Sequence, residues 1–187
     1  MHPANTHPQL LRADNVVLVV VDMQEPFLRN LFERERVIHN VCTLLDGAKI
    51  LEVPIIATTQ YAERMGGLLP EVQERLQTAI ALDKMAFSCW NQPFREELQR
   101  RNRKQVLLCG AEAHICVSQT AHDLLAAGYE VHLVEEAVSS RTEANANIGF
   151  AKMRLAGVVP ASVESALYEM LVRAGTPAFR EILKLIK

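Results

Sequence analysis

The chain has 187 residues, of which 49% are hydrophobic and 22% are charged, a composition that supports a globular core and excludes a disordered chain. Twenty Lys and Arg residues against 22 Asp and Glu residues give a net charge of -2, so there is no basic excess to bind a nucleic-acid backbone. We therefore expect one domain over residues 1–187 and no nucleic-acid partner.

The sequence shows no targeting or membrane-spanning pattern. Residues 1–10 lack the charged and then apolar layout of a secretory signal. The longest valine-rich run, Val16–Val21, is far shorter than the roughly 20 residues that cross a bilayer. None of the four cysteines forms a C-x-x-C pair. These features predict a reduced, cytoplasmic protein with no membrane partner.

Apolar, β-branched runs alternate with segments of helical spacing. The runs predict buried strands at Val16–Val21, 54–58, 106–109, 131–134 and 158–159. The helical segments are 37–48, 93–101 with Asn91 as its cap, 115–127, 142–155, 163–173 and 177–185 with Thr176 as its cap. Because strands separated by helices require right-handed crossovers, this order predicts an α/β fold, a three-layer α/β/α sandwich with a mostly parallel central sheet.

The ligand crevice of such a sheet lies beyond the carboxyl ends of its strands. The residues that follow the predicted strands are Asp22, 58–61, 110–116 and 135–136. Asp22 ends an apolar run, where partial burial suits a general base, although a carboxylate that caps the next turn fits the position equally well.

Cys116 is the cysteine whose position most favours a chemical role. It stands in the first turn of the predicted helix 115–127, where the helix dipole and free N–H groups are expected to lower its pKa and to hold an oxyanion. Cys109 on a strand and Cys42 on an apolar helix face read as inert core thiols, and Cys89 beside Trp90 is ambiguous.

Lys84 lies among apolar residues, where an ammonium group needs a partner if it is buried. Near Asp22 and Cys116 it would orient the base and favour the thiolate. A solvated surface lysine is the competing interpretation.

Motifs for cofactors and metals are missing. The sequence has no G-x-G-x-x-G, no G-x-x-x-x-G-K-[ST] and no G-x-S-x-G. Its six histidines form no H-E-x-x-H pair and no Asp/His cluster. We expect neither a cofactor nor a metal.

Taken in order, a set of short segments resembles the isochorismatase-like cysteine hydrolase superfamily. The segments are 19–24 with Phe27, Lys84 with 87–88, 110–117, 119–121, 123–125, 128–129 and 139–141. Segments 51–56, 153–157 and 184–187 look closest to the compact isochorismatase domain-containing proteins. The resemblance covers nearly the whole chain and implies the isochorismatase-like hydrolase fold.

The resemblance implies a catalytic triad of Asp22, Lys84 and Cys116. It also implies a cis peptide between Ala111 and Glu112, which turns the backbone N–H groups of Glu112 and Cys116 toward the reacting carbonyl. The implied reaction is hydrolysis of a small amide or related C–N bond through a thioester on Cys116. Homo-oligomers are expected from the family.

Two differences within the superfamily bear on this chain. The metal-dependent nicotinamidases carry an Asp/His cluster after the second strand, whereas segment 58–66 here has no histidine, so the resemblance implies neither a metal nor nicotinamidase activity. Isochorismatases proper lack the nucleophilic cysteine, so Cys116 favours the cysteine-hydrolase branch.

Aromatic and imidazole side chains that flank these positions are candidate pocket walls for a planar or uncharged substrate: Phe27, Tyr61, Phe87, Trp90 and His114. Ordinary packing explains each aromatic residue equally well. A catalytically quiet scaffold is the alternative function. A redox thiol enzyme is a third, which would require the fold to bring Cys89 close to Cys116.

Overall fold

The computed structural model of the chain describes residue 7, residues 9–76, residue 79 and residues 81–187. Within these residues, six strands form one sheet in the order β3-β2-β1-β4-β5-β6, and every neighbouring pair is parallel. The strands are β1 Val16–Val21, β2 Ile55–Gln60, β3 Ala81–Lys84, β4 Gln105–Ala111, β5 Glu130–Ser139 and β6 Val159–Ala161.

The helices form two layers that enclose this sheet. They are α1 Glu25–Leu28, α2 Arg34–Ile50, α3 Ala62–Met65, α4 Pro70–Leu76, α5 Gln92–Arg101, a π-helical turn Ala113–Val117, α6 Ser118–Ala126, α7 Glu143–Ala156, α8 Val163–Leu171 and α9 Pro177–Leu185. Helix α2 contacts α4, α8 and α9, whereas α6 contacts α7. The predicted three-layer α/β/α sandwich with a parallel sheet is confirmed.

The centre of the sheet is the core of the protein. All six residues of β1 and all seven of β4 are buried, as a valine-rich run in the middle of a parallel sheet requires. Gly110 lets the two strands run side by side at their carboxyl ends. Its φ is +116°, and a Cβ there would lie 2.1 Å from the carbonyl oxygen of Val21. These ends position the functional site.

Side chains cap the two helices whose starts the sequence marks. The Asn91 side chain accepts a hydrogen bond from the backbone N–H of Phe94 at 3.0 Å. The Thr176 hydroxyl accepts one from Phe179 at 3.0 Å. Each satisfies a backbone donor that the first helical turn leaves open, so both predicted caps are confirmed.

Two local predictions are wrong, and one strand of the sheet is not predicted. Strand β3 was not expected, because its Ala-Leu-Asp-Lys sequence lacks an apolar run and lies at the sheet edge. Strand β5 continues to Ser139, so Glu135 and Glu136 lie within it rather than after it. Glu135 pairs with Arg154, and Glu136 accepts a hydrogen bond from the first N–H of α8. The predicted helix 115–127 begins instead as the π-helical turn.

The terminal helices pack on the body of the chain. Leu167 on α8 and Ile182 on α9 are fully buried, and α9 contacts α2. None of the described helices is both long and apolar enough to cross a membrane.

Candidate functional site

Asp22 and Lys84 form a buried ion pair at the carboxyl ends of β1 and β3, the two strands on either side of β2. Asp22 follows β1, and Lys84 ends β3. The Lys84 Nζ atom lies 2.7 Å from Asp22 Oδ2, and each side chain is only 1% exposed. Burial, the largest single effect, lowers the pKa of Lys84, but the negative charge of Asp22 and the nearby thiols together outweigh it and raise that pKa. Lys84 is therefore a buried cation and not a surface lysine.

Two side chains from the end of β2 hold this pair in place. The Thr58 hydroxyl donates a hydrogen bond to Asp22 Oδ1 at 2.8 Å. The Gln60 side-chain oxygen accepts one from Lys84 Nζ at 2.7 Å. Gln24 fixes Gln60 in turn, since its side-chain oxygen accepts the Gln60 backbone N–H at 2.7 Å. Sequence reasoning missed the roles of Thr58 and Gln60, although both stand at the strand end where a crevice is expected.

Carbonyl groups after β3 complete the surroundings of the lysine. Lys84 Nζ donates to the carbonyl oxygen of Phe87 at 2.9 Å and lies 3.3 Å from that of Ala86. Because an ammonium group has three N–H donors, its hydrogen-bonding capacity is used within the protein.

Cys116 lies in the π-helical turn that follows β4 and precedes α6. Helix α7 packs closely against this turn at Gly149. A Cβ on Gly149 would lie 2.8 Å from the carbonyl carbon of Ala113 and 2.9 Å from the backbone nitrogen of His114. The Cys116 carbonyl oxygen accepts a hydrogen bond from the Thr120 hydroxyl at 2.7 Å. These contacts fix the backbone that carries the thiol.

The expected lowering of the Cys116 pKa is wrong. Burial is the largest cause that raises the pKa of Cys116 to about 12, and the negative charge of Asp22 is the next; the charge of Lys84 lowers it by less. Cys116 is 8% exposed and lies close to the carboxylate, which the sequence alone did not reveal. The thiol is therefore protonated at rest, beside a carboxylate that can accept its proton.

The peptide bond between Ala111 and Glu112 is cis. The carbonyl oxygen of Glu112 accepts hydrogen bonds from the backbone N–H groups of Ile115 at 3.1 Å and Val117 at 3.2 Å. Its side chain pairs with Arg141 at 2.9 Å. Glu112 is thereby anchored at both its backbone and its side chain, directly before the turn that holds Cys116.

A cavity of about 50 Å³ opens over the thiol and the carboxylate. Its lining comes from the ends of β1, β2 and β4, the segment after β3, helix α1 and the π-helical turn, and is mostly apolar: Asp22, Phe27, Gln60, Phe87, Ala111, Glu112, Ile115 and Cys116. Of the five candidate wall residues, Phe27 and Phe87 line it. The larger surface grooves elsewhere on the molecule are not lined by Asp22, Lys84 or Cys116.

The structure places the other three candidate wall residues elsewhere. Tyr61 directly precedes α3, and its backbone N–H donates to the carbonyl oxygen of Lys84 at 3.0 Å. Trp90 packs edge-on against Phe94 and Tyr129, with ring centroids 6.5 and 6.1 Å apart.

His114 is also absent from the cavity lining. Its Nδ1 lies 2.8 Å from the Ser140 hydroxyl oxygen, so it joins the π-helical turn to the end of β5.

Cys89 lies in the same buried cluster as the ion pair. Its Sγ is 3.6 Å from the Thr58 hydroxyl oxygen, and its backbone N–H donates to Thr120 at 2.9 Å. Burial, the largest cause, raises the pKa of Cys89 to about 11. Sequence distance concealed this neighbour of Asp22.

The remaining two thiols lie apart from this cluster. Cys109 is fully buried on β4, and burial raises its pKa. Cys42 is half-buried on α2, and burial is likewise the largest cause that raises its pKa. Among the described residues, no three His, Cys, Asp or Glu side chains converge into a metal site.

A comparison with protein families shows to which family the chain belongs. A family model for the isochorismatase domain matches residues 16–165. The chain belongs to the isochorismatase family. The secreted isochorismatase effector Isc1 of Phytophthora sojae (strain P6497) is 43% identical to this isochorismatase-family chain over 176 residues, which are 91% of this chain and 84% of that protein. Isochorismatase domain-containing protein 2 of Danio rerio is 37% identical over 172 residues, 91% of this chain and 86% of that protein.

Solved structures of isochorismatase-fold proteins agree with this architecture. A structure described as the MAR1 ribonuclease of Caenorhabditis elegans is 35% identical, with a TM-score of 0.90 over 95% of this chain and 92% of that chain. The Escherichia coli YcaC protein, described as an octameric hydrolase of unknown specificity, is 21% identical, with a TM-score of 0.88 over 99% and 92% of the two chains. At that identity YcaC shows the fold alone.

Proposed function

We propose that this isochorismatase-family protein is a cysteine hydrolase that cleaves a small amide or related C–N bond. In this proposal Cys116 is the nucleophile, Asp22 is the general base and acid, and Lys84 supports the charge of Asp22. The observation that carries it is the buried pair of Asp22 and Lys84, 2.7 Å apart, whose Asp22 carboxylate lines the same cavity as Cys116. A carboxylate in contact with a protonated thiol is the arrangement that activates a nucleophile.

The first half-reaction moves one proton and exchanges one bond. As the Cys116 sulfur bonds to the substrate carbonyl carbon, its proton passes to the Asp22 carboxylate. The negative charge that forms on the carbonyl oxygen is held by the backbone N–H groups of Glu112 and Cys116. The C–N bond then breaks, Asp22 returns the proton to the leaving nitrogen, and the amine departs. The acyl group stays on the sulfur as a thioester.

Water completes the cycle. Asp22 takes a proton from a water molecule while the oxygen of that water attacks the thioester carbon. The C–S bond then breaks, and the sulfur regains a proton from Asp22. The products are a carboxylic acid and an amine, and the enzyme returns to its starting state. Lys84 remains protonated throughout, because its raised pKa keeps the ammonium form.

A screen of small amides for ammonia or amine release tests the proposal. The intact protein should turn over at least one amide, and its mass spectrum should show an acyl adduct on Cys116. Cys116→Ala and Asp22→Asn should abolish turnover. Cys42→Ala, which changes a thiol outside the cluster, should not affect it. Full activity in Cys116→Ser would contradict nucleophilic catalysis by the thiol.

A catalytically quiet scaffold is the alternative function, and the reactivity of the four thiols separates the two. With a thiol-directed electrophile, the hydrolase requires Cys116 to be modified faster than Cys42, Cys89 and Cys109 in the folded protein. Equal or absent modification of Cys116 would favour the scaffold. A redox enzyme would instead show a disulfide between Cys116 and Cys89 after peroxide treatment.

The names of the relatives suggest further properties, which we treat as proposals. The net charge of -2 and the small cavity favour a small substrate over RNA, despite the ribonuclease description of one neighbour. We propose a homo-oligomer, since Phe87 and Met85 beside the site are 56% and 66% exposed and one neighbour is described as octameric. Light scattering tests this. The cytoplasmic location remains a prediction, because one relative is described as secreted.

A further inference from the structure

The cavity over Cys116 is too small for an ordinary ligand. Its volume is about 50 Å³, whereas drug-sized ligands occupy roughly 300–1,000 Å³. The space therefore suits a group of only a few non-hydrogen atoms. Phe27, Phe87 and Ile115 supply apolar parts of its lining. The group that enters is therefore short and apolar.

The charged groups around the cavity also favour an uncharged substrate group. The Lys84 ammonium is occupied by Asp22, Gln60 and the carbonyl oxygen of Phe87. The Gln60 amide is occupied as well, since its nitrogen donates to the Met85 carbonyl oxygen at 2.9 Å. Of the described residues that line the cavity, none offers an unpaired cation to a substrate carboxylate. The Asp22 carboxylate faces the cavity and repels a second negative charge.

We propose that the site selects uncharged, short aliphatic acyl groups, of the size of acetyl or propionyl, and rejects acyl groups that carry a carboxylate or a ring. The assignment of an acyl group rests on the proposed hydrolysis, whereas the selection by charge and size follows from the cavity itself. A carboxylate loses its hydration on entering this cavity and gains no counterion in return. An aromatic ring exceeds the available volume.

Alkylation of Cys116 measures the selectivity without a known substrate. Iodoacetamide and iodoacetate have the same length and the same leaving group, and they differ in charge. In each case the thiol gives up its proton, the sulfur forms a bond to the CH₂ carbon, and iodide leaves. N-phenyl iodoacetamide adds a ring to the uncharged agent. Peptide mass spectrometry gives the rate constant at Cys116 for each agent, and the same thiol in the urea-unfolded chain gives the intrinsic ratios.

Folding should change these ratios in a defined direction. We expect the preference for iodoacetamide over iodoacetate to be about tenfold or more above the unfolded reference, since every 1.4 kcal/mol of selectivity is a factor of ten. The preference over the N-phenyl agent should rise by a similar factor. Phe27→Ala, which removes one wall, should relax the discrimination against the ring and leave the discrimination against charge intact.

Each part of the proposal has its own refutation. Equal or faster reaction with iodoacetate, relative to the unfolded reference, overturns the selection against charge. Undiminished reaction with the N-phenyl agent overturns the selection by size. Failure of the proposed hydrolysis looks different, because the alkylation ratios hold while acetamide and propionamide show no turnover that depends on Cys116. If hydrolysis occurs, propionamide should be cleaved faster than malonamate, in which a carboxylate replaces its methyl group.

Discussion

A buried histidine makes the stability of this fold sensitive to acid. His132 lies on β5 between Leu107 of β4 and Val159 of β6, and it is 1% exposed. Its Nε2 has no hydrogen-bond partner among residues 7, 9–76, 79 and 81–187. Burial is the largest cause that lowers the pKa of His132 from 6.5 to about 4, opposed by the charge of Glu130. The folded state therefore holds this imidazole neutral.

The size of the effect follows from the two pKa values. Between pH 6.5 and about 4, the unfolded chain binds a proton at this position that the folded chain does not, so the free energy of unfolding falls as the pH falls. At about 1.4 kcal/mol for each pH unit, the whole interval costs about 3 kcal/mol. The contribution is fully present above pH 6.5 and is lost toward pH 4.

Urea unfolding of the wild type and of His132→Leu, each at neutral pH and at about pH 4.5, isolates this contribution. The variant has no titratable group at position 132, and its other titratable residues are the same as those of the wild type. The wild type should lose about 2–3 kcal/mol more than the variant between the two conditions. Equal losses would refute the argument, because they would mean that His132 titrates normally in the folded state.

Two further substitutions test the supports of the site. Gly149→Ala should destabilise the fold by about 1–3 kcal/mol and slow alkylation of Cys116, since the new Cβ meets the Ala113 backbone at 2.8 Å. Gly67→Ala is the matched control, because a Cβ there meets no described atom within 4 Å and both measurements should stay near the wild type. Thr58→Val should cost about 1–3 kcal/mol in urea unfolding, because it removes a buried hydrogen bond to the Asp22 carboxylate. Thr58→Ser, which keeps the hydroxyl, should recover most of that loss, and equal losses in the two variants would contradict the assigned bond.

The parts of the fold that the sequence predicts are those with strong local patterns. Val16–Val21 is apolar at every position and is buried at every position. Asn91 and Thr176 precede prolines at the starts of helices, where side-chain caps and a fixed φ favour the same boundary. Local preference and tertiary packing agree at these places, so either one suffices to predict them.

The missed parts depend on contacts between distant segments. Strand β3 carries no apolar run, and it is a strand because β2 pairs with it in parallel. The π-helical turn reads as an ordinary helix start, and its close packing against Gly149 is not visible in the sequence.

The surroundings of the candidate nucleophile were hidden for the same reason. The protonated state of Cys116 follows from burial and from Asp22, which lies 94 positions earlier in the chain. A rule based on helix position alone predicted the opposite direction. Trp90 illustrates the same limit, since its two ring neighbours come from other segments.

The pH dependence of Cys116 alkylation by iodoacetamide in the wild type and in Asp22→Asn tests the convergence of the three side chains most directly. The Asp22 charge raises the pKa of Cys116 while Lys84 lowers it, so removal of that charge should move the alkylation profile to lower pH even though turnover is lost. Asp22→Asn combined with Lys84→Met leaves no buried charge unpaired and should return the profile toward higher pH, where burial alone sets it. An unchanged profile in Asp22→Asn, with the protein still folded, would contradict the account, because the carboxylate would then lie too far from the thiol to activate it.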